Sequence, residues 1–196
     1  MRHWLFHPII FFPLACVFAV AMILFGFGPR AFDRPVTPQS GRVEGSSVVL
    51  AGDALASPQG APEQVFQVDS VYLRANRSLR VAVRPNLGPP APEEAGIRVL
   101  LTPATAARLV NRPMRVDVSY RAIPISAASA LAVRLDGDTL QPWAINALSL
   151  DQPGVVRFDL PAQAHINAFA IRAISDNNTD FNYGVEITQV RLTPID

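Results

Sequence analysis

From Ile9 to Gly28 the chain reads IIFFPLACVFAVAMILFGFG, an apolar run without a single charged side chain. A helix of that length, at about 1.5 Å rise per residue, spans about 30 Å, the thickness of a bilayer's hydrocarbon core. A helix packed in a small soluble domain needs one apolar stripe rather than apolar residues on every face. The run is therefore expected to enter a membrane. Pro13 falls in the first turns, where a lost backbone hydrogen bond disturbs a helix least, and Trp4 suits the membrane–water interface. Pro29, Arg30, Ala31 and Phe32 make a poor signal-cleavage sequence. Lipidation at Cys16 would call for polar residues soon after it, yet the chain stays apolar through Gly28. The expectation is an uncleaved single-pass anchor at 9–28, inserted in the lipid bilayer.

Which side receives the rest of the chain is read from its flanks. Arg2 precedes the run, while Arg30 and Arg34, partly offset by Asp33, follow it. That count alone does not favour an N-inside arrangement. Short N-termini nonetheless ordinarily stay cytoplasmic, which places residues 1–8 inside and everything after Gly28 outside. All 17 basic residues are Arg, with no Lys, among 18 Pro and abundant Ala and Val. Such usage suggests a GC-rich bacterial genome, so the expected location is the inner membrane with a periplasmic C-terminal domain. A net charge of +1 provides no bulk attraction to nucleic acid. Cys16 is the only cysteine and lies in the anchor. That excludes disulfides, thiol catalysis and cysteine metal sites from the exported part.

Residues 29–45, rich in Pro, Gly, Ser and Arg without periodicity, read as a flexible linker. From residue 46 to 196 the pattern has period two. Leu79, Val81 and Val83 alternate with Arg80, Ala82 and Arg84; Met114, Val116, Val118 and Tyr120 alternate with Arg115, Asp117, Ser119 and Arg121. Leu131, Val133 and Leu135 repeat the pattern, as do Val156, Phe158 and Leu160. Such alternation marks strands with one buried and one wet face. Further strands are expected near 47–50, 65–73, 97–101, 166–174 and 185–192, with turns at Asp136-Gly137-Asp138, Gln152-Pro153-Gly154 and 88–92. One helix is expected, at 103–110, capped by Thr102 with Pro103 in its first position. Val185 and Ile187 share one parity and Val190 and Leu192 the other, so a bulge near Thr188 and Gln189 is needed to bring all four to the core. The fold class is all-β, a two-sheet β-sandwich with one short helix behind a transmembrane helix.

The C-terminal run NYGVEITQVRLTPID resembles the closing strand of carbohydrate-binding-module jelly rolls of the galactose-binding-like type. The stretch TPATAARLVNRPMRVDVSYRA is similar to them too, a short helix leading into a strand that ends in an aromatic and an Arg. The likeness covers roughly residues 97 to 196 and implies a jelly-roll sandwich. Its motifs are structural, and the fold hosts many functions.

Catalysis finds little to work with. His3 and His7 flank the anchor, leaving His165, and no Gly-x-Ser-x-Gly turn presents a serine. Asp117, Asp159 and Glu186 fit a solvated strand face and Asp136 a turn, so paired carboxylates are not expected, and the chain is read as non-catalytic. His165 with Asp159 would be the best pair for a hydrolase.

The most distinctive loop is SDNNTDFNYG, 175–184. Asp176, Asn178 and Asp180 fall at alternate positions, from which a tight loop converges oxygens on Ca²⁺. The EF-hand pattern fails where Phe181 replaces its glycine and Ile187 its bidentate Glu, so a plain turn is the first reading and no cofactor is called for. Phe181 and Tyr183, beside Asn182, and Trp143 after Gln141-Pro142 supply rings of the kind that stack on sugar C–H faces. Packing in the core is the competing role for Trp143 and Tyr183. Outward-parity Arg115, Arg121, Arg134, Arg157 and Arg172 form either a solvated face or a surface for anionic polymers or headgroups. The expected function is a membrane-anchored binding module for envelope or exported polysaccharide. The alternative is an accessory subunit of a membrane complex, with Ala15 and Ala19 allowing close helix approach.

Overall fold

Residues whose side chains alternate between apolar and polar form the strands of the computed structural model, which describes residues 12–18, 40–55, 58–60, 65–69, 78–83, 89–123, 127–149, 153–175 and 183–195. Met1–Val36 and Thr37–Asp196 are two compact units. In the first, residues 12–18 are helical, and among the described residues no helix is long and apolar enough to cross a membrane. The remainder of the run 9–28 lies outside the described residues.

The second unit contains strands β1 (Arg42–Glu44), β2 (Ser47–Ala51), β3 (Pro58–Gln59), β4 (Val65–Asp69), β5 (Ser78–Val83), β6 (Ile97–Leu100), β7 (Met114–Ala122), β8 (Ala130–Asp136), β9 (Ala144–Ala147), β10 (Gly154–Leu160), β11 (Ala168–Ile174) and β12 (Tyr183–Pro194). Sheet A is organised around β12. Its one edge pairs with β7, which pairs in turn with β10; its other edge is shared by β5, backed by β4, and β2, backed by β1. Sheet B runs β3-β6-β11-β8-β9. Every strand pair in both sheets is antiparallel.

The bulge in β12 sits where its parity demanded one. Against β7 the register steps from Ile187↔Tyr120 to Gln189↔Ser119, leaving Thr188 as the extra residue. Its hydroxyl donates to the Ser119 carbonyl at 3.2 Å. On the other edge, β5 pairs up to Ile187 and β2 starts at Gln189, so the same irregularity hands β12 from one partner to the next. Val185, Ile187, Val190 and Leu192 are all fully buried as a result. They join Val116, Val118 and Phe158 of sheet A and Val99, Leu131, Val133, Phe169 and Ile171 of sheet B in one cluster between the sheets. Full burial of such side chains stabilises by about 1.5–3 kcal/mol each, against about 0–1 kcal/mol for an exposed ion pair. The inter-sheet core therefore decides stability.

The short helix spans Pro103–Ala106, with Thr102 as N-cap accepting from the Thr105 amide at 3.3 Å. It is shorter than the expected 103–110. Arg108 and Leu109 donate instead to carbonyls three residues back, Thr105 and Ala106, so the turn tightens. Asn111 then takes a φ of 61° and donates to the Gln163 carbonyl at 2.7 Å, and Pro113 closes the segment.

Three short strands escape the alternation. The linker boundary at residue 45 is corrected by β1, whose three residues pair with β2 across Gly45 (φ 61°) and Ser46. Pro58–Gln59 and Ala144–Ala147 are edge strands too short to show a period. The turn end of β1 is tied by Glu44, which accepts from Arg191 on β12 at 2.7 Å and also pairs with Arg42. Those hydrogen bonds, the Arg191 bond first and then Arg42, hold the Glu44 carboxyl below its ordinary range. A lowered folded value means the tie is complete above about pH 4.3 and is lost as pH falls through that lowered value. The amide-exchange protection factors of Arg42–Glu44 are expected to fall in that acid window while that of Ile171 holds. Glu44→Gln should abolish that fall, and protection factors that do not change with pH in the unmutated chain would refute the tie.

Candidate binding site

β11 lies at the centre of sheet B and β12 at the centre of sheet A, and residues 175–182 link them. The register puts three pairs of strand ends at one end of the sandwich: Ala122 of β7 and Ala130 of β8, Ala147 of β9 and Gly154 of β10, and Ile174 of β11 and Tyr183 of β12. The frame carrying the last of these is braced by hydrogen bonds. Ser129 donates to the Ile174 carbonyl through its amide at 2.9 Å and its hydroxyl at 3.3 Å. Ala128 donates to Gly184 at 2.8 Å and Leu148 to Ser129 at 2.9 Å. The Tyr120 hydroxyl donates to the Ser149 carbonyl at 3.1 Å and accepts from its amide at 2.8 Å. Tyr120 is thus buried on the apolar face of β7, as its parity requires. Asp176, Asn178, Asp180, Phe181 and Asn182 lie outside the described residues, and Tyr183 opens β12. Among the described residues, no three acidic, histidine or cysteine side chains are placed to hold a metal ion.

Trp143 is buried, as its packing role requires, but in a second and smaller cluster. It is 9% exposed, and it lies on the outer face of sheet B rather than between the sheets, packed with Ala132, Ala170 and Ile174. The Arg134 guanidinium stacks on its ring at 4.4 Å from the centroid, and its indole N–H donates to the Ala91 carbonyl at 3.2 Å. The ring face is therefore already in use.

The outward arginines divide into two groups. On sheet A, Arg157 pairs with Asp117 at 2.8 Å, Arg115 with Asp159 at 3.4 Å and Arg121 with Glu186 at 3.7 Å, each across neighbouring strands. The Asp117 carboxylate raises the Arg157 pKa through that hydrogen bond. This is the mixed, solvated face expected from the sequence. On sheet B, Arg134 and Arg172 are each only 5% exposed, which corrects the reading of them as solvent-facing. Residues 89–96 cross that face. The Pro92 carbonyl accepts from Arg134, the Glu94 carboxylate pairs with Arg172, and Asp136 binds Arg134 Nε at 2.7 Å and Arg98 Nε at 3.1 Å. Asp136 is the last residue of β8 rather than a turn residue.

The Arg–Trp–carboxylate cluster of Arg98, Arg134, Arg172, Glu94, Asp136 and Trp143 was hidden from the sequence by its distance along the chain. A signal did exist. The polar-parity positions of β8 and β11 hold Ala130, Ala132, Ala168 and Ala170 around their arginines, and small residues there mark a face that something covers. At the opposite end of the sandwich His165 faces Asp138 at 3.7 Å, both 69% exposed, while Asp159 is engaged with Arg115. His165 and Asp159 thus have different partners.

No family model matches the sequence, and no curated protein matches it either. Among solved structures the chain is similar to the CBM1 module of BiXyn10A, with 10% identity over 70% of this chain and 88% of that one and a TM-score of 0.46. It is similar to the carbohydrate-binding module CBM6cm-2 of Cellvibrio mixtus lichenase 5A, with 9% identity over 76% and 98% and a TM-score of 0.41. It is also similar to the CBM22-1 xylan-binding domain of Paenibacillus barcinonensis Xyn10C, with 12% identity over 82% and 100% and a TM-score of 0.42. All three are carbohydrate-binding modules, the type that the C-terminal sequence resembles.

Proposed function

We propose that this chain is a membrane-anchored, non-catalytic β-sandwich module that holds envelope or exported polysaccharide on the periplasmic side of the inner membrane. The observation that carries the reading is the attachment of the 175–182 loop. In the sequence, a stretch of Asp, Asn and aromatic residues joins Ile174 at the end of β11 to Tyr183 at the start of β12, the central strands of the two sheets, and that end is braced by Ser129, Ala128 and Tyr120. A short polar loop on a rigid frame is the arrangement in which stacking rings and hydrogen-bonding side chains can be held ready for a sugar. The apolar run at 9–28 supports the anchor, and the separateness of Thr37–Asp196 supports a domain that works beyond it.

Affinity electrophoresis of residues 37–196 in gels containing envelope polysaccharides tests the binding. Retardation is expected, with Phe181→Ala and Tyr183→Ala together weakening it by roughly tenfold or more. Free migration in every gel, or retardation indifferent to both substitutions, would remove the loop as a glycan site. A reporter fused after Asp196 that is active only in the cytoplasm would refute the periplasmic placement.

A further inference from the structure

Two guanidiniums and an indole lie buried on the outer face of sheet B, where stability alone does not call for them. Exchanging a buried ion pair for well-packed apolar residues is commonly neutral or stabilising. A cover selected for stability would continue over the arginines what Trp143 does over Ala132, Ala170 and Ile174, an apolar side chain on an apolar face. The segment that lies over Arg134 and Arg172, Pro-Pro-Ala-Pro-Glu-Glu-Ala-Gly at 89–96, has no large apolar side chain at all. What it presents to the sheet is acceptors: the Ala91 carbonyl to Trp143, the Pro92 carbonyl to Arg134 and the Glu94 carboxylate to Arg172. Glu94 is 42% exposed, whereas the guanidinium it holds is 5% exposed. Solutes therefore reach the carboxylate side of the pair before the cation.

We propose that residues 89–96 are a displaceable strap standing in for a ligand, and that the face beneath it binds a carboxylate-bearing polysaccharide whose acid group takes the place of Glu94 on Arg172. The inference rests on the polysaccharide-binding reading and names its chemical class and a second surface for it. A uronate chain supplies what the strap supplies, a carboxylate for Arg172 and neutral oxygens for Arg134 Nη1 and the Trp143 N–H. A neutral glycan lacks the charge to compete with Glu94. Apparent affinity is lowered by the fraction of molecules whose strap is open, so loosening the strap raises it.

The test is calorimetric titration of the full chain in detergent with polygalacturonate, with a neutral dextran and with poly-glutamate. Glu94→Gln is expected to bind polygalacturonate roughly tenfold more tightly than the unmutated chain, if the strap is shut about nine-tenths of the time. Glu93→Gln, which removes the same charge from an exposed neighbour, should leave affinity unchanged, and Arg172→Gln added to Glu94→Gln should erase the gain. Gly96→Ala gives a second route. A Cβ there meets Trp143 at 2.4 Å and the Ile171 carbonyl at 2.9 Å, so the strap must lift, and the same gain is expected. Faster amide exchange at 93–96 in Glu94→Gln without tighter binding would overturn the proposal. So would an equal gain in Glu93→Gln, or a gain for poly-glutamate in place of the uronate. Dextran binding with no uronate gain would sink the strap alone, whereas no binding of any polymer by any variant would sink the polysaccharide reading with it.

Discussion

Asp136→Ala is expected to destabilise the β-sandwich by about 3–5 kcal/mol, the range for breaking a buried charge pair by removing one partner. Asp136 Oδ1 receives Arg134 Nε at 2.7 Å, and Arg134 is 5% exposed, so its guanidinium has almost no water to fall back on. The other carboxylate oxygen holds Arg98 at 3.1 Å, and β6 and β8 are thereby tied across β11. The Pro92 carbonyl still accepts from Arg134 in the variant, and the indole still lies against it. Neither carries a full negative charge. For a domain of this size, each kcal/mol corresponds to about 2–4 °C, so thermal melting should fall by about 6–20 °C. Arg134→Met with Asp136→Leu removes cation and anion together and is expected to recover part of the loss. A single-variant melt within 2 °C of the unmutated protein would mean that water or another acceptor already serves Arg134.

That expectation separates what the sequence displays from what it conceals. Period two marks a strand wherever one face is wet, and β5, β7 and β10 therefore stand out by their residues alone. The bulge at Thr188 was legible for the same reason, since a parity change within an apolar strand has few other solutions. β11 is different, because all seven of its residues are buried and its outer face shows no solvent signal. Parity there reports only which of two covered faces a side chain joins. Arg134 and Arg172 fall on the outward parity, and the step from outward to exposed fails because residues 89–96 lie over them. Nothing local ties Glu94 to Arg172 or Ala91 to Trp143, which are 78 and 52 positions apart.

The loop at 175–182 was visible as composition, and its attachment points are now visible as geometry. Its residue types follow from the sequence, whereas the bracing of Ile174 by Ser129 depends on contacts 45 residues apart. Short edge strands are the remaining blind spot. Arg42–Glu44 has no apolar alternation, and its pairing rests on a two-residue turn and on Glu44 reaching Arg191 on another strand. Tertiary partners decide such strands, and propensity does not.

Gly137→Ala is expected to cost about 3 kcal/mol, at the upper end for forcing a methyl into a packed site, although a turn glycine on the surface is usually replaced cheaply. The sequence marks Asp136-Gly137-Asp138 as a turn, and backbone freedom is the usual reason for a glycine in one. Its φ is not among the positive ones, so freedom is not the reason. Space is. A Cβ at 137 would stand 1.9 Å from the His165 carbonyl oxygen and 2.4 Å from Gln163 Oε1. Gln163 can rotate only by giving up the bond from its Nε2 to the Leu135 carbonyl at 2.9 Å, and its own carbonyl anchors Asn111 at 2.7 Å. His165 cannot retreat freely either, because Asn167, two residues on, bonds to Asp136 at 2.7 Å and to Leu101 at 3.0 Å. The methyl therefore pushes on backbone that is fixed from both sides, and the 161–167 segment must separate from the end of β8. Denaturant unfolding should show the lost stability with an unchanged m-value, and amide exchange should quicken first at Asn111 and Asn167. A loss below 1 kcal/mol, with those two amides still protected, would show that the segment has room to move.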